Sequence, residues 1–303
     1  MYFCCSNTTS FMQIEYLVHS SIDKEKWDQA ILNADNGLLY ACSWYLDCVS
    51  PGWEAIVAND YEYVFPVPVK RKYKLPYIVQ PFLAQQLGLF GKGECSENML
   101  HDCLSKLPSY SYEINLNYAN FLDDAQLMTN LILPLDKSYT TIRKNYSTNT
   151  LRNIRKAEKN AYTFREVSVN DFLMAYNSVE HPDSSVSLEL IEQVITKGYE
   201  QSNIRCCALL NSTDQPVSGL AYGWFKNRII YLFPFSTAEG KAGSAMFLLV
   251  DELLRQHAGS DLIFDFEGSM IEGVARFYKG YGAQPEIYRI ARRLRPSFLV
   301  GKI

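Results

Sequence analysis

The chain has 303 residues, 48% of them hydrophobic, and a formal net charge of −4. That length suits one large core or two of ordinary size, and the hydrophobic share excludes a disordered chain. The acidic balance excludes a generally nucleic-acid-binding surface, so any contact with a polyanion has to be local.

At the N-terminus no basic stretch precedes an apolar one, so no signal peptide is expected. Met12 opens a more regular segment, and residues 1–11 are expected to be a disordered or mis-started tail. Residues 13–19 then read as a strand and 22–34 as a helix with Asp23 in its first turn. Strand-like segments follow at 53–58, 61–70 and 77–80, a helix at 96–107, and strands at 112–117 and 127–133. Together they predict a mixed sheet with flanking helices over residues 12–136.

The character then changes. Between Lys137 and Arg165 stand eight Lys or Arg and a single acid, Glu158. Arg152, Arg155, Lys156 and Lys159 recur at helical spacing, which sets all four on one face, with Leu151, Ile154 and Ala157 on the apolar side. Residues 137–160 are therefore expected to form a basic connecting helix. Its charged face suits phosphates of a nucleotide, cofactor or tRNA, or is simply solvated.

Beyond it the strand-helix theme returns over 161–303. The pattern predicts a strand at 162–167, helices at 171–178 and 188–201, and strands at 205–211, 217–224 and 229–235. Lys226-Asn227 reads as a hairpin turn. A helix at 242–257, a strand at 262–267, a helix at 274–281 and a strand at 286–292 complete the chain. The two halves have similar element order, which points to a structural duplication with its boundary near the basic helix.

Cysteine and histidine patterns carry little chemistry. Cys4, Cys5, Cys42, Cys48, Cys95, Cys103, Cys206 and Cys207 show no CxxC spacing, and the four His show no His-x-x-x-His. No metal site is expected, and free thiols in a reducing cytosol are. No apolar run reaches the roughly 18–20 residues needed to span a bilayer, so no membrane insertion is expected. Oligomeric state leaves no mark in the sequence.

Three places do carry chemistry. Alternation along 262–267 sends Asp265 and Glu267 to one face at a strand end, where two acids raise one another's pKa and one becomes a general base, with Asp265 favoured because it sits deeper in the strand; the plainer alternative is a capping Asp and a solvated Glu. The loop from Phe235 to Ser244 joins a strand to a long helix and exposes backbone amides at the helix start. There Gly240 and Gly243 allow close approach and Lys241 adds charge, though small residues also suit ordinary capping. Tyr222, Trp224, Tyr231 and Phe233 either line a substrate groove or pack within the sheet.

These motifs, in this order, resemble the GNAT superfamily of N-acyltransferases, and within it the FemAB-like branch with tandem GNAT domains. Leu151-Arg-Asn-Ile-Arg-Lys-Ala-Glu-Lys159 resembles the basic helix between the two FemAB-like domains. Gly240-x-x-Gly243-x-Ala245 followed by Leu248-Leu249 resembles the acyl-CoA pyrophosphate loop, and Phe264-Asp-Phe-Glu-Gly268 through Arg276 to Ala283 resembles the last third of the fold. The resemblance implies an α+β protein of two GNAT-like domains, each a mixed, mostly antiparallel sheet flanked by helices, with a splayed central strand pair. It also implies an N-acyltransferase acting on an amine acceptor, with Asp265 or Glu267 as base and Tyr278 as proton donor. Gly240, Lys241, Gly243, Ser244 and Ala245 would hold the donor, acyl-CoA or aminoacyl-tRNA, and Arg152, Arg155, Lys156, Lys159, Tyr222 and Tyr231 the substrates. Two departures stand out. Gly240 replaces the Gln or Arg that opens the GNAT loop, and Tyr278, common in GNAT acetyltransferases, stands where FemAB-like enzymes tend to have Lys. A non-catalytic GNAT-like scaffold binding a nucleotide-linked or cell-wall-precursor ligand is the alternative.

Overall fold

The structure, a computed structural model, describes residues 13–73, 75–108, 111–181, 186–268 and 272–293. The expected tail, with Cys4 and Cys5, lies outside the described residues. Before the basic segment come β1 (Ile14–Leu17), α1 (Lys24–Asn33), α2 (Ser43–Val49), β2 (Glu54–Ala58), β3 (Tyr63–Val67), β4 (Val69–Lys72) and β5 (Leu75–Val79). They continue with β6 (Phe90–Gly91), α3 (Glu97–Ser105), β7 (Tyr112–Asn115) and β8 (Gln126–Pro134). The basic segment holds α4 (Tyr139–Lys144) and α5 (Thr148–Glu158). After it come β9 (Thr163–Glu166), α6 (Val169–Asn177), α7 (Leu188–Glu200), β10 (Ile204–Leu210), β11 (Pro216–Phe225) and β12 (Arg228–Ser236). The last elements are α8 (Ala238–Gly243), α9 (Ala245–His257), β13 (Ile263–Asp265), α10 (Glu272–Lys279) and β14 (Gln284–Arg293).

The class is α+β, with two mostly antiparallel sheets flanked by helices. A small sheet runs β1-β2-β3-β6, and a ten-stranded one runs β4-β5-β7-β14-β8-β13-β12-β11-β10-β9. Helix starts follow capping chemistry: the side chains of Asp23, Ser96, Ser147, Ser168 and Ser187 each accept a backbone N–H of the first turn. The segment expected as one strand over 61–70 is two. It breaks at Pro68, which has no N–H to donate, and β3 and β4 enter different sheets. The helix expected over 242–257 begins earlier and is split, because Ser244 takes a left-handed conformation (φ 60°) between α8 and α9.

One strand pair matters most for function. β12 and β13 are parallel, paired only from Arg228/Ile263 to Ile230/Asp265, so β12 runs on to Ser236 past the tip of its neighbour. On its other side β13 pairs with β8, which in turn pairs with β14. A strand from the N-terminal half therefore lies in the middle of the larger sheet.

Helices cover both faces of that sheet, so successive residues of a central strand enter different cores. Cys206 packs in the cluster shared with α1, α2, α6 and α7, and Cys207 in the cluster under α5 and α9. Burial pushes both thiols up in pKa, and all six described cysteines are free and buried.

Candidate functional site

The apolar run Leu262–Phe266 drives β13 into the sheet, with Phe264 and Phe266 fully buried in the α9 core. The strand ends at Asp265 rather than Glu267. Asp265 is 1% exposed and its carboxylate is fully engaged. Oδ2 accepts from Arg228 Nη1 at 2.7 Å, while Oδ1 accepts from Asn130 Nδ2 at 3.0 Å and from the Glu267 N–H at 2.9 Å. Arg228 also holds Glu286 through both terminal nitrogens, at 2.6 and 3.0 Å, and lies 4.6 Å over the Tyr118 ring. Burial raises the Asp265 pKa while Arg228 opposes the rise. The buried cation and its two acids tie β12, β13 and β14 together.

Glu267 behaves differently. At φ 59° it leaves the strand alternation, and it is only partly exposed. Its Oε1 accepts a short hydrogen bond from the Tyr40 hydroxyl, 227 positions away in the chain. Burial pushes its pKa up to about 8; the Tyr40 hydrogen bond pulls it down and the Asp265 charge adds to the rise. Burial raises the pKa of Tyr40, Tyr45, Tyr278 and Tyr288, four phenols from four different elements or turns, and the Glu267 charge adds to each rise. A carboxyl titrating near neutrality at a strand tip, amid phenols, is equipped for proton transfer.

Where β12 runs on past β13, a groove of about 520 Å³ opens between the end of β12, the α8–α9 junction, α5 and α10; neither Asp265 nor Glu267 lines it. Gly240, Lys241, Ser244, Tyr231 and Tyr278 line it, with Asn153, Pro234, Met246 and Phe277. Tyr278 is 8% exposed and meets Tyr231 edge-on at 5.6 Å and Phe266 at 5.0 Å. Its phenol is thus packed on one side and borders the groove on the other. Ser244 donates its hydroxyl to Asn153 Oδ1 at 3.0 Å and makes no side-chain cap, so the first turn of α9 opens uncapped beside the groove. A smaller hollow of about 310 Å³, lined by Tyr176 and His181, shares Pro234, Ser236 and Lys241 with it. Another cavity, about 860 Å³ between α6, β9–β11 and the start of α8, holds none of the expected site residues.

No protein-family model matches the sequence, and neither does any curated protein. Solved structures match it in shape. FemX superposes with a TM-score of 0.64 at 13% identity, over 90% of this chain and 96% of its own. The chain has the FemX fold. The C-terminal domain of a putative lysylphosphatidylglycerol synthetase from Agrobacterium fabrum gives 0.55 at 9% identity, over 90% and 92%. L-PGS from Bacillus licheniformis gives 0.55 at 11%, over 84% and 89%. These are likenesses of fold, and the FemX-like match runs through both halves of the chain.

On this FemX-type frame the remaining expected residues separate. A Cβ on Gly240 would meet the Val217 carbonyl oxygen at 2.0 Å, and one on Gly243 the Tyr162 hydroxyl at 2.2 Å, so packing against the sheet and Tyr162 requires both glycines. Ala245 is fully buried and does not line the groove. Tyr222 is 1% exposed in the core near Cys207 and does not line the groove either, unlike Tyr231. Arg152, Arg155, Lys156 and Lys159 are all exposed on α5, and Arg152 donates to Asn149 Oδ1 at 2.7 Å. Their helix also supplies Asn153 to the groove. Among the described residues no group of three His, Cys, Asp or Glu side chains could hold a metal, and no helix is long and apolar enough to cross a membrane.

Sequence reasoning missed Tyr40, Arg228, Asn130, Glu286 and Asn153. Asn153 lies on α5 beside Arg152, Arg155 and Lys156, whose charge is the stronger signal in sequence. Arg228 sat beside the hairpin turn with no local sign that its partners lie 37 and 58 residues on.

Proposed function

We propose that the chain is an N-acyltransferase whose activated donor lies in the groove between the end of β12 and α10. One observation carries this reading: Tyr278 and the donor-loop residues Gly240, Lys241 and Ser244 border a single groove, and the Tyr278 ring packs at 5.0 Å on Phe266, the residue before Glu267. In the reaction, Glu267 takes a proton from the acceptor amine, whose nitrogen then bonds to the acyl carbon. The bond from that carbon to the leaving sulfur or oxygen breaks, and Tyr278 protonates the leaving atom. Free amides along the unflanked end of β12 and at the start of α9 suit the developing oxyanion and a phosphate-bearing donor. Asp265, engaged with Arg228 and Asn130, serves as the positioning carboxylate, so Glu267 is the base.

The donor is acyl-CoA or aminoacyl-tRNA. Lys241 and the uncapped α9 terminus support a compact phosphate-bearing donor, whereas the exposed basic face of α5 supports a longer polyanion. The lysyl group in the name of the lysylphosphatidylglycerol synthetase supports an aminoacyl donor. Thermal stabilisation of the full chain by acetyl-CoA, longer acyl-CoAs and acceptor-stem RNAs tests the reading. At least one of them should raise the melting temperature, and Lys241→Ala should reduce that rise for acyl-CoA while Arg152→Ala/Lys156→Ala reduces it for RNA. Stabilisation by none of them would remove the proposal.

A further inference from the structure

The end of the β4–β5 hairpin, five strands away from β13 in the large sheet, belongs to no part of the site described above. Tyr73 at its turn is 89% exposed and Leu75, which opens β5, is 68% exposed. Two large apolar side chains at one tip stand mostly in solvent, and such display marks a surface that meets something apolar. The same tip is cationic. Lys72 stands opposite Leu75 and Lys70 opposite Tyr77 across the strand pair, and both lysines are exposed and without an ion-pair partner among the described residues. Arg71 adds a third cation, turned back to Glu54 at 2.6 Å. This concentration stands out in a chain of net charge −4. β4 is moreover the edge strand of the ten-stranded sheet, so no further strand covers the hairpin on that side.

We propose that this hairpin is a peripheral docking tip for an anionic lipid surface. Lysines beside an exposed Tyr and Leu match the membrane interface, where cations meet anionic headgroups while the phenol and the aliphatic chain enter the headgroup boundary. The shape argues against nucleic acid as the partner. Single strands are held in grooves with aromatic platforms, whereas this tip is a protrusion on which Leu75 has no base to stack against. With few cations and two apolar side chains the attachment is weak, reversible and screened by salt. It needs no spanning segment and is independent of the transfer chemistry, since no groove residue lies on the hairpin.

Co-sedimentation of the full chain with vesicles tests this, using phosphatidylcholine alone or mixed with phosphatidylglycerol. The chain should bind the mixed vesicles at low salt, bind the neutral ones little, and come off as salt rises. Tyr73→Ser/Leu75→Ser and Lys70→Glu/Lys72→Glu should each lower the binding constant roughly tenfold. Both sites are on the surface, so the melting temperatures of the variants should match that of the parent. Equal binding to both vesicle types, or anionic binding that neither variant weakens, overturns the proposal. Tighter binding of tRNA lost in the same two variants would overturn it too and give the hairpin to nucleic acid.

Discussion

Two carboxylates lie side by side at the β13 tip, and their surroundings divide their work. Asp265 is locked by Arg228, Asn130 and a backbone amide, while Glu267 has a single phenol donor and a pKa pushed up to about 8 by burial. A buried acid whose folded pKa exceeds its unfolded value, about 4.3, stabilises fully below that unfolded value. It loses the contribution as pH rises through the folded value. Glu267→Gln keeps the shape and removes the ionisation. Its stability relative to the parent should therefore climb between about pH 4.5 and pH 8 and level off above. Thermal unfolding of both proteins from pH 5 to pH 9 measures this, and a constant offset would show that Glu267 has an ordinary pKa. The sequence made the pair of acids legible, because alternation along a short apolar strand is a local signal. It favoured Asp265, the deeper of the two, whereas the proposed base is Glu267; Arg228 and Tyr40, which set them apart, approach only through folding, from 37 and 227 residues away.

Among the elements, the strand-turn-helix unit β12-α8-α9 forms the groove. Its glycines were read from sequence as room for a ligand, and both also have a packing duty. The two duties differ in stiffness. Gly240 abuts a backbone carbonyl that the β11 ladder holds in place, whereas Gly243 abuts the end of a tyrosine that can swing aside. Gly240→Ala should therefore cost about 1–3 kcal/mol and Gly243→Ala distinctly less, as read by denaturant midpoints. Equal costs would mean that α8 is free to shift off β11. Periodicity found most elements here, including α5 within the basic segment and the Lys226-Asn227 turn, since helix and strand periods are local. It missed the break at 145–147 that divides the helix expected over 137–160 into α4 and α5, and those at Pro68 and Ser244. A proline suits the start of a strand as well as its interruption, and nothing in a serine announces a left-handed conformation.

For the whole molecule, element order suggested two successive units divided at 136/137. The ten-stranded sheet crosses that division, with β8 between β13 and β14. β14 has β7 on its other side, with β5 and β4 beyond, so four strands of the earlier half belong to this sheet. A fragment of residues 137–303 should then fail to fold, since β13 would lose β8 and β14 would lose both of its partners. Amide dispersion in its proton NMR spectrum decides this, and a folded 137–303 would restore the sequence division. That these strands belong to the later sheet was invisible beforehand, because strand pairing between distant segments leaves no periodic trace. The same crossing delivers Tyr40, from the first half, to Glu267 in the last third, so the proposed chemistry depends on both halves. The central claim is that Glu267 draws the proton from an acceptor amine beside a donor-filled groove. Amine-dependent discharge of whichever donor binds, followed against pH, tests it most directly. The account predicts a kcat/KM that rises to a plateau above about pH 8 and falls roughly 10²–10⁴-fold in Glu267→Gln with donor binding retained. Undiminished transfer by that variant, or a bound donor that no amine discharges, would contradict it.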